Sequence, residues 1–130
     1  MQPYTPLNKY FWVKVRTVHG FASNILHDVL RNTLYTDFVI VSFKDKDTLT
    51  LFETGKSRRW TNIAKVALRK LDQMEAAIQL NDLLVPPGNH LEALAGDRAG
   101  QHSIRINGQY RICFVWKVEG ACEVEITDYH

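Results

Sequence analysis

The sequence predicts an α+β fold in which helices come first and antiparallel strands follow. Three observations predict it. Apolar residues recur every three or four positions between residues 63 and 78, which is the period of an amphipathic helix. Beyond residue 91 the period changes to two, as in strands with one covered face. Between the two patterns stand Pro86, Pro87 and Gly88, which exclude further helix and mark a loop.

Length and composition bound the possibilities. A chain of 130 residues suits one domain with one site, and 45% hydrophobic with 23% charged residues fits an ordinary globular protein. No stretch approaches the roughly 18 to 20 consecutive apolar residues that cross a bilayer, and residues 1–38 lack the apolar segment of a secretory signal. We therefore expect a cytoplasmic protein without a membrane partner.

Metal and cofactor sites are not indicated. Cys113 and Cys122 form no CxxC pair, so the sequence offers neither a disulfide framework nor a cysteine-rich zinc site. The five histidines show neither the HxH nor the HExxH spacing that holds a metal. We expect no metal and no cofactor.

Residues 1–38 differ from the rest of the chain, with scattered aromatic residues and only a weak helical pattern. The orderly pattern begins at residues 39–43, a β-rich run suited to a buried strand. We therefore divide the chain into an N-terminal extension, residues 1–38, and a main domain, residues 39–130. Two interpretations of the extension stay open: a mis-called start, with translation beginning near Val39, or a flexible segment.

Two helices are expected at the start of the main domain. Asp47 is the predicted N-cap of the first helix and Gly55 its end, whereas Thr61 or Asn62 is the predicted cap of the second. One apolar stripe along the second helix is assigned to the core, because an amphipathic helix must bury that face. The stripe consists of Ile63, Ala67, Leu71, Met74 and Ile78.

Four strands are expected after the loop, at residues 91–95, 102–106, 110–117 and 122–127. Alternation of apolar and polar residues fixes their register, because a slip by one residue exchanges the two faces of a strand. In the next-to-last hairpin the preferred register sets Ser103 opposite Cys113 and Arg105 opposite Arg111. In the last hairpin, placing Phe114 opposite Ile126 sets Arg111 opposite Tyr129. One face is then expected to carry Ser103, Arg105, Arg111 and Tyr129.

Two opposed arginines on neighbouring strands repel each other, so something must offset that repulsion. A bound phosphate does so, because each planar guanidinium grips phosphate oxygens in bidentate fashion. The alternative is that Arg105 and Arg111 pair with Glu123 and Glu125 on the same sheet. Both explanations stay open at this point.

The chain ends in Asp128, Tyr129 and His130, directly after a predicted strand. Metal-free RNA cleavage needs a base for the 2′-hydroxyl, cations that stabilise the phosphorane and an acid for the leaving 5′-oxygen. Imidazole exchanges protons near neutral pH, a phenol donates or relays a proton and an aspartate orients either group. His102, one strand earlier, is a second candidate acid or base. The alternatives are a frayed terminus and a structural histidine.

A block of basic residues precedes and enters the second helix. Four of the 16 basic and two of the 14 acidic residues fall within residues 1–38, so the main domain is formally neutral. Even so, six cations follow one another with no acid between them, which is enough to attract phosphates locally. A solvated helix face is the alternative. The block consists of Lys56, Arg58, Arg59, Lys65, Arg69 and Lys70.

Several short motifs, in order and at their spacing, resemble the HigB-type toxins, GraT-like members included, of the RelE/ParE superfamily. The resemblance covers roughly residues 39–130. Its motifs are VSF at 41–43, TGK at 54–56, PPGN at 86–89, LEAL at 91–94, GDR at 96–98, HSIRIN at 102–107, YRICF at 110–114, VEI at 124–126 and DYH at 128–130.

The resemblance implies a RelE-like α+β fold, with two helices packed on an antiparallel meander sheet. It also implies a type II toxin: a ribosome-dependent mRNA endoribonuclease that inhibits translation. Its expected partners are the ribosome, mRNA and a HigA-like antitoxin with a helix-turn-helix domain, and it would meet operator DNA only through that antitoxin. Carried over by position, Arg111 stabilises the scissile phosphate, and Asp128, Tyr129 and His130 form a C-terminal catalytic group.

Further RNA contacts are assigned from charge and register. They are Arg98, Arg105, Ser103, Lys56, Arg58 and Arg59. Many relatives carry a lysine where this chain has Ala95, which implies slower cleavage, and some carry a histidine in place of Glu92. Two other functions are compatible with the pattern: a ParE-like gyrase poison, and a non-catalytic co-repressor that acts through its antitoxin.

Overall fold

A computed structural model describes residues 40–128. The predictions for residues 1–38, Val39, Tyr129 and His130 lie outside the described residues. Two helices, α1 (Lys46–Thr54) and α2 (Ala64–Ala76), come first. The strands β1 (Glu92–Ala93), β2 (His102–Arg105), β3 (Tyr110–Lys117) and β4 (Gly120–Asp128) follow. They form an antiparallel meander in the order β1-β2-β3-β4, and the helices pack against it, which confirms the predicted α+β fold.

Helix α1 is capped at both ends by its own sequence. The Asp45 carboxylate accepts hydrogen bonds from the Thr48 backbone N–H at 2.9 Å and from the Thr48 hydroxyl at 2.7 Å. The predicted cap Asp47 was wrong, because it lies inside the first turn. Gly55 ends the helix as predicted, with φ 79°, a left-handed conformation that suits glycine.

Helix α2 begins without a side-chain cap. Its N-cap position is Ile63, so the predicted caps Thr61 and Asn62 were wrong. Four members of the apolar stripe are buried as predicted, whereas Ile78 is 74% exposed. The helix ends at Ala76 and Ala77 is extended, so the helical period no longer turns Ile78 towards the core.

The pairing of β2 with β3 follows the predicted register, with Ser103 opposite Cys113 and Arg105 opposite Arg111. The prediction for β3 and β4 was wrong by two residues. Thr127, not Tyr129, lies opposite Arg111, since a tight turn joins Lys117 to its partner Gly120. An irregularity between Cys113 and Val115 changes the offset from the predicted register to three residues nearer the turn, where Trp116 lies opposite Ala121. Around Arg111, where the offset is two residues, each side chain stays on its predicted face.

Residues 40–44 run parallel to β4 and cover its outer edge. The predicted strand at 39–43 appears as two isolated bridges, Ile40 with Ala121 and Phe43 with Val124. At the opposite edge, the strand predicted for residues 91–95 shortens to β1. No helix within residues 40–128 combines the length and the apolar character of a membrane span.

The core lies between the helices and one face of the sheet. Ile104, Ile112 and Ile126 occupy neighbouring positions on adjacent strands and are almost completely buried. Leu51 and Leu71, from α1 and α2, belong to the same cluster. The other face of the sheet carries Ser103, Arg111 and Cys113, which alternate with these core positions and are also buried.

Candidate functional site

Arg111 lies in the middle of the polar face and its guanidinium is held on several sides. Nε donates to the Ser103 hydroxyl at 2.7 Å, and Nη2 donates to the backbone carbonyl oxygen of His90 at 2.8 Å. Nη2 also lies 3.2 Å from Oε1 of Glu92. The Arg111 side chain is only 9% exposed, whereas that of Glu92 is 48% exposed. The cation therefore has buried acceptors below it and a half-exposed carboxylate on its solvent side.

Arg105 lies opposite Arg111 on the neighbouring strand, but the two cations have different surroundings. Its Nε donates to the Asn107 backbone oxygen at 3.2 Å, and the side chain is partly exposed. Within residues 40–128, Arg111 forms an ion pair with a carboxylate and Arg105 forms none. The expected repulsion is therefore offset at Arg111 by Glu92, and Arg105 keeps its full charge at the surface.

Glu125 pairs with cations other than the two opposed arginines. Its carboxylate lies 3.0 Å from Nη1 of Arg98 and 3.5 Å from Nζ of Lys44. Arg98 also donates to the Gln101 side chain at 2.9 Å. The hydrogen bond with Glu125 raises the pKa of Arg98 above its ordinary value. The alternative in which Glu123 and Glu125 pair with the two arginines is therefore not what the described residues show; the carboxylate beside Arg111 is that of Glu92 on β1.

Asp128 ends β4, opposite Tyr110 and one position beyond the pair of Thr127 with Arg111. It is exposed and accepts a hydrogen bond from the Gln109 side chain at 3.0 Å. Strand β4 thus ends beside the arginine pair, but strand alternation turns the Asp128 side chain to the face that Arg111 does not share.

His102 does not join the arginines. It lies opposite Phe114 and stacks against that ring at 6.2 Å, on the core side of the sheet, whereas Arg111 and Ser103 are on the other side. Nδ1 is buried and has no hydrogen-bond partner among the described groups. The position of His102 could have been predicted from the sequence. Ser103 was assigned to the arginine face, and adjacent residues in a strand point to opposite faces.

The basic block separates into an exposed part and a buried part. Lys56 and Arg58 line a shallow cleft of about 430 Å³ at the end of α1. Arg59 lies 3.1 Å from the Asp47 carboxylate and stacks over the Trp60 ring at 4.6 Å. Lys65 and Arg69 are exposed on α2.

Lys70 is the buried member of the block, with 8% exposure. Its Nζ donates to Oδ1 of Asn89. Burial, and then repulsion from Arg69, lowers the pKa of Lys70 from its ordinary value. Lys70 therefore belongs to the interior rather than to a solvated helix face.

Sequence reasoning missed two partners of Arg111. Glu92 was noted only as a departure from relatives, yet its position opposite Ser103 follows once β1 is paired with β2. The contact with the His90 carbonyl could not be predicted from the sequence, because the acceptor is a backbone oxygen that any residue in that conformation would present. Within the part of the chain that the structure describes, no cluster of histidine, cysteine and acidic side chains could hold a metal ion.

Comparisons with known proteins agree on one family. Residues 41–130 match the family described as "RelE-like toxin of type II toxin-antitoxin system HigB". The chain is 39% identical over 92 residues to Toxin HigB-1 of Vibrio cholerae serotype O1, covering 69% of this chain and 96% of that protein. It is also 39% identical over 79 residues to an uncharacterized protein of Haemophilus influenzae, covering 59% of this chain and 76% of the other.

Proposed function

Because the chain belongs to the HigB-like family of RelE-like type II toxins, we propose that it is a ribosome-dependent, metal-independent endoribonuclease that cleaves mRNA. The observation that carries the proposal is the fixed guanidinium of Arg111. It is nearly buried, oriented by Ser103 and the His90 carbonyl, and a half-exposed carboxylate lies on its outer side. We further propose residues 39–130 as the toxin domain and residues 1–38 as an extension of it.

In this mechanism Arg111 stabilises the charge that develops on the scissile phosphate. A fixed cation does so without reorganisation during the reaction, and it acts more strongly where water is partly excluded. An incoming phosphate oxygen takes the place of the Glu92 carboxylate, while Ser103 and His90 keep the guanidinium plane in position. Arg105, unpaired with any described carboxylate, is proposed to contact the same strand of RNA.

Proton transfer is proposed for the C-terminal group Asp128, Tyr129 and His130. This assignment rests on the family resemblance; Asp128 directly follows Thr127, the partner of Arg111, but strand alternation turns its side chain to the other face of the sheet. One group removes the proton of the 2′-hydroxyl, a second donates a proton to the 5′-oxygen and the carboxylate orients them. We assign no such role to His102, because its ring packs against Phe114 on the core side of the sheet and its Nδ1 is buried, whereas Asp128 is exposed.

Binding along the RNA is proposed for Lys56, Arg58 and Arg59, whose exposed cations suit phosphates. Arg98 is proposed as a weaker contact, because Glu125 already pairs with it. Ser103 acts through Arg111 rather than on RNA directly. A type II toxin has an antitoxin partner. We propose a HigA-like helix-turn-helix antitoxin, contact with operator DNA only through it, and action in the cytoplasm.

The test is to map the 5′ ends of cellular mRNAs shortly after induction of the full chain. We expect new ends within translated frames, absent when translation is blocked and absent for Arg111→Ala. Growth arrest with DNA damage and intact mRNAs would instead identify a gyrase poison. Growth that continues, with operator repression still dependent on the chain, would identify a co-repressor.

A further inference from the structure

One acceptor of Arg111 belongs to a loop rather than to the sheet. The His90 carbonyl oxygen accepts a hydrogen bond from Nη2 of Arg111 at 2.8 Å. The orientation of the guanidinium therefore depends on the conformation of residues 86–90. His90 has φ 47° and ψ 56°, which is a left-handed conformation that side-chain-bearing residues seldom adopt. Surrounding contacts must therefore hold the loop in this shape.

Asn89 provides those contacts. It is completely buried, and its amide nitrogen donates to the Leu83 carbonyl at 3.1 Å and to the Gln73 side chain of α2 at 3.3 Å. Its backbone N–H donates to the Pro86 carbonyl at 2.9 Å. A buried amide with this set of partners has one orientation, so Asn89 ties the loop to helix α2.

Lys70 completes the network by donating to the carbonyl oxygen of the Asn89 side chain. A lysine in the interior is costly, and an apolar residue of similar size often stabilises a protein as well or better. Lys70 nevertheless stays buried, and the hydrogen bond that it makes leads, through Asn89 and His90, to Arg111. The burial of Lys70 is explained if its hydrogen bond to Asn89 fixes the orientation of the Arg111 guanidinium.

We propose that Lys70 and Asn89 are positioning residues for Arg111. Their hydrogen bond fixes the loop so that the His90 carbonyl holds the guanidinium in the plane that a phosphate requires. Neither residue touches RNA. The consequence for cleavage rests on the function proposed for Arg111, whereas the orientation of the guanidinium does not.

The experiment compares Lys70→Met with Lys46→Met in the full chain. Methionine keeps the apolar stem of Lys70 but cannot donate, and Lys46→Met makes the same substitution at an exposed lysine of α1. One readout is hydrogen exchange of the Arg111 Nε–H by NMR, with the signal assigned by its absence in Arg111→Lys. The other is cleavage of mRNA on programmed ribosomes.

For Lys70→Met we expect exchange at Nε to accelerate at least about tenfold, and kcat to fall about tenfold with KM within about twofold, because a misplaced group loses mainly transition-state interaction. Lys46→Met should leave the exchange rate and kcat at their wild-type values. Unchanged exchange and kcat in a folded Lys70→Met protein would overturn the proposal.

A second pair covers the case in which Lys70→Met does not fold. Asn89→Asp keeps an oxygen for Lys70, and Asn89→Ala does not, so the Nε–H should be better protected in Asn89→Asp. Equal exchange rates in the two would overturn the proposal. A wild-type chain that fails to cleave mRNA, while Lys70→Met still accelerates the exchange, would reject only the proposed ribonuclease function.

Discussion

Glu92→Gln tests whether the carboxylate beside Arg111 competes with the RNA phosphate. The substitution keeps the size of the side chain and removes its charge. Because Glu92 is 48% exposed, its ion pair with Arg111 is screened and should contribute about 0.5–1 kcal/mol. A phosphate that displaces the carboxylate must overcome that contribution, so its removal should tighten RNA binding about 2- to 5-fold.

The assay is the KM for mRNA cleavage on programmed ribosomes, supported by the affinity of the free chain for a non-cleavable 2′-deoxy RNA analogue. We expect KM and Kd to fall 2- to 5-fold for Glu92→Gln, while the free energy of unfolding falls by less than about 1 kcal/mol. Glu119→Gln is the matched control, because Glu119 is an exposed carboxylate in the turn between β3 and β4. Its removal changes the net charge equally and should leave the KM unchanged.

A double-mutant cycle with Arg111→Ala separates local competition from general electrostatics. Once the guanidinium is gone, Glu92→Gln should have no further effect on affinity. The reasoning would be refuted if Glu92→Gln weakened binding, or if it reduced kcat as strongly as Arg111→Ala. The second result would make Glu92 a group that acts in the reaction itself.

Three further outcomes are expected. Arg111→Lys should keep RNA binding but lower kcat about 100-fold or more, because an ammonium cannot reproduce the planar fork; single-turnover cleavage measures this. Asp45→Ala should lower the free energy of unfolding by about 1–2 kcal/mol in urea titrations, because it removes the cap of α1 and leaves Thr48 with fewer partners. Burial raises the pKa of the Cys122 thiol, so the folded state holds that proton more tightly than the unfolded state; stability should decline as the pH rises above about 9, and Cys122→Ala should flatten the decline.

Much of the fold was predictable because periodicity and turn residues are local signals. Gly55, the buried stripe of α2 and the β2–β3 register all follow from patterns within a few residues. The misses depend on longer-range geometry. The β3–β4 register failed because alternation cannot distinguish slips by two residues, and the tight turn at Lys117 decided between them.

The candidate site was predictable in its cations and less so in their partners. Charge and register brought Arg105 and Arg111 together, as the structure does. The sequence analysis named His102 as a second candidate acid or base, although strand alternation assigns it to the face opposite the arginines. It also counted Lys70 with a surface block because of its charge, although position 70 follows the buried Ala67 by three residues and precedes the buried Met74 by four, which is the helical period of the core face.

The parallel pairing of residues 40–44 with β4 has a consequence for synthesis. Glu123 donates its backbone N–H to the hydroxyl of Ser42, a contact that spans 81 positions. Closing so long a loop is slow compared with forming local hairpins, and it must wait until β4 has been translated. A nascent chain that stops short of β4 leaves that pairing unmade, so the sheet is complete only after the last strand has been translated.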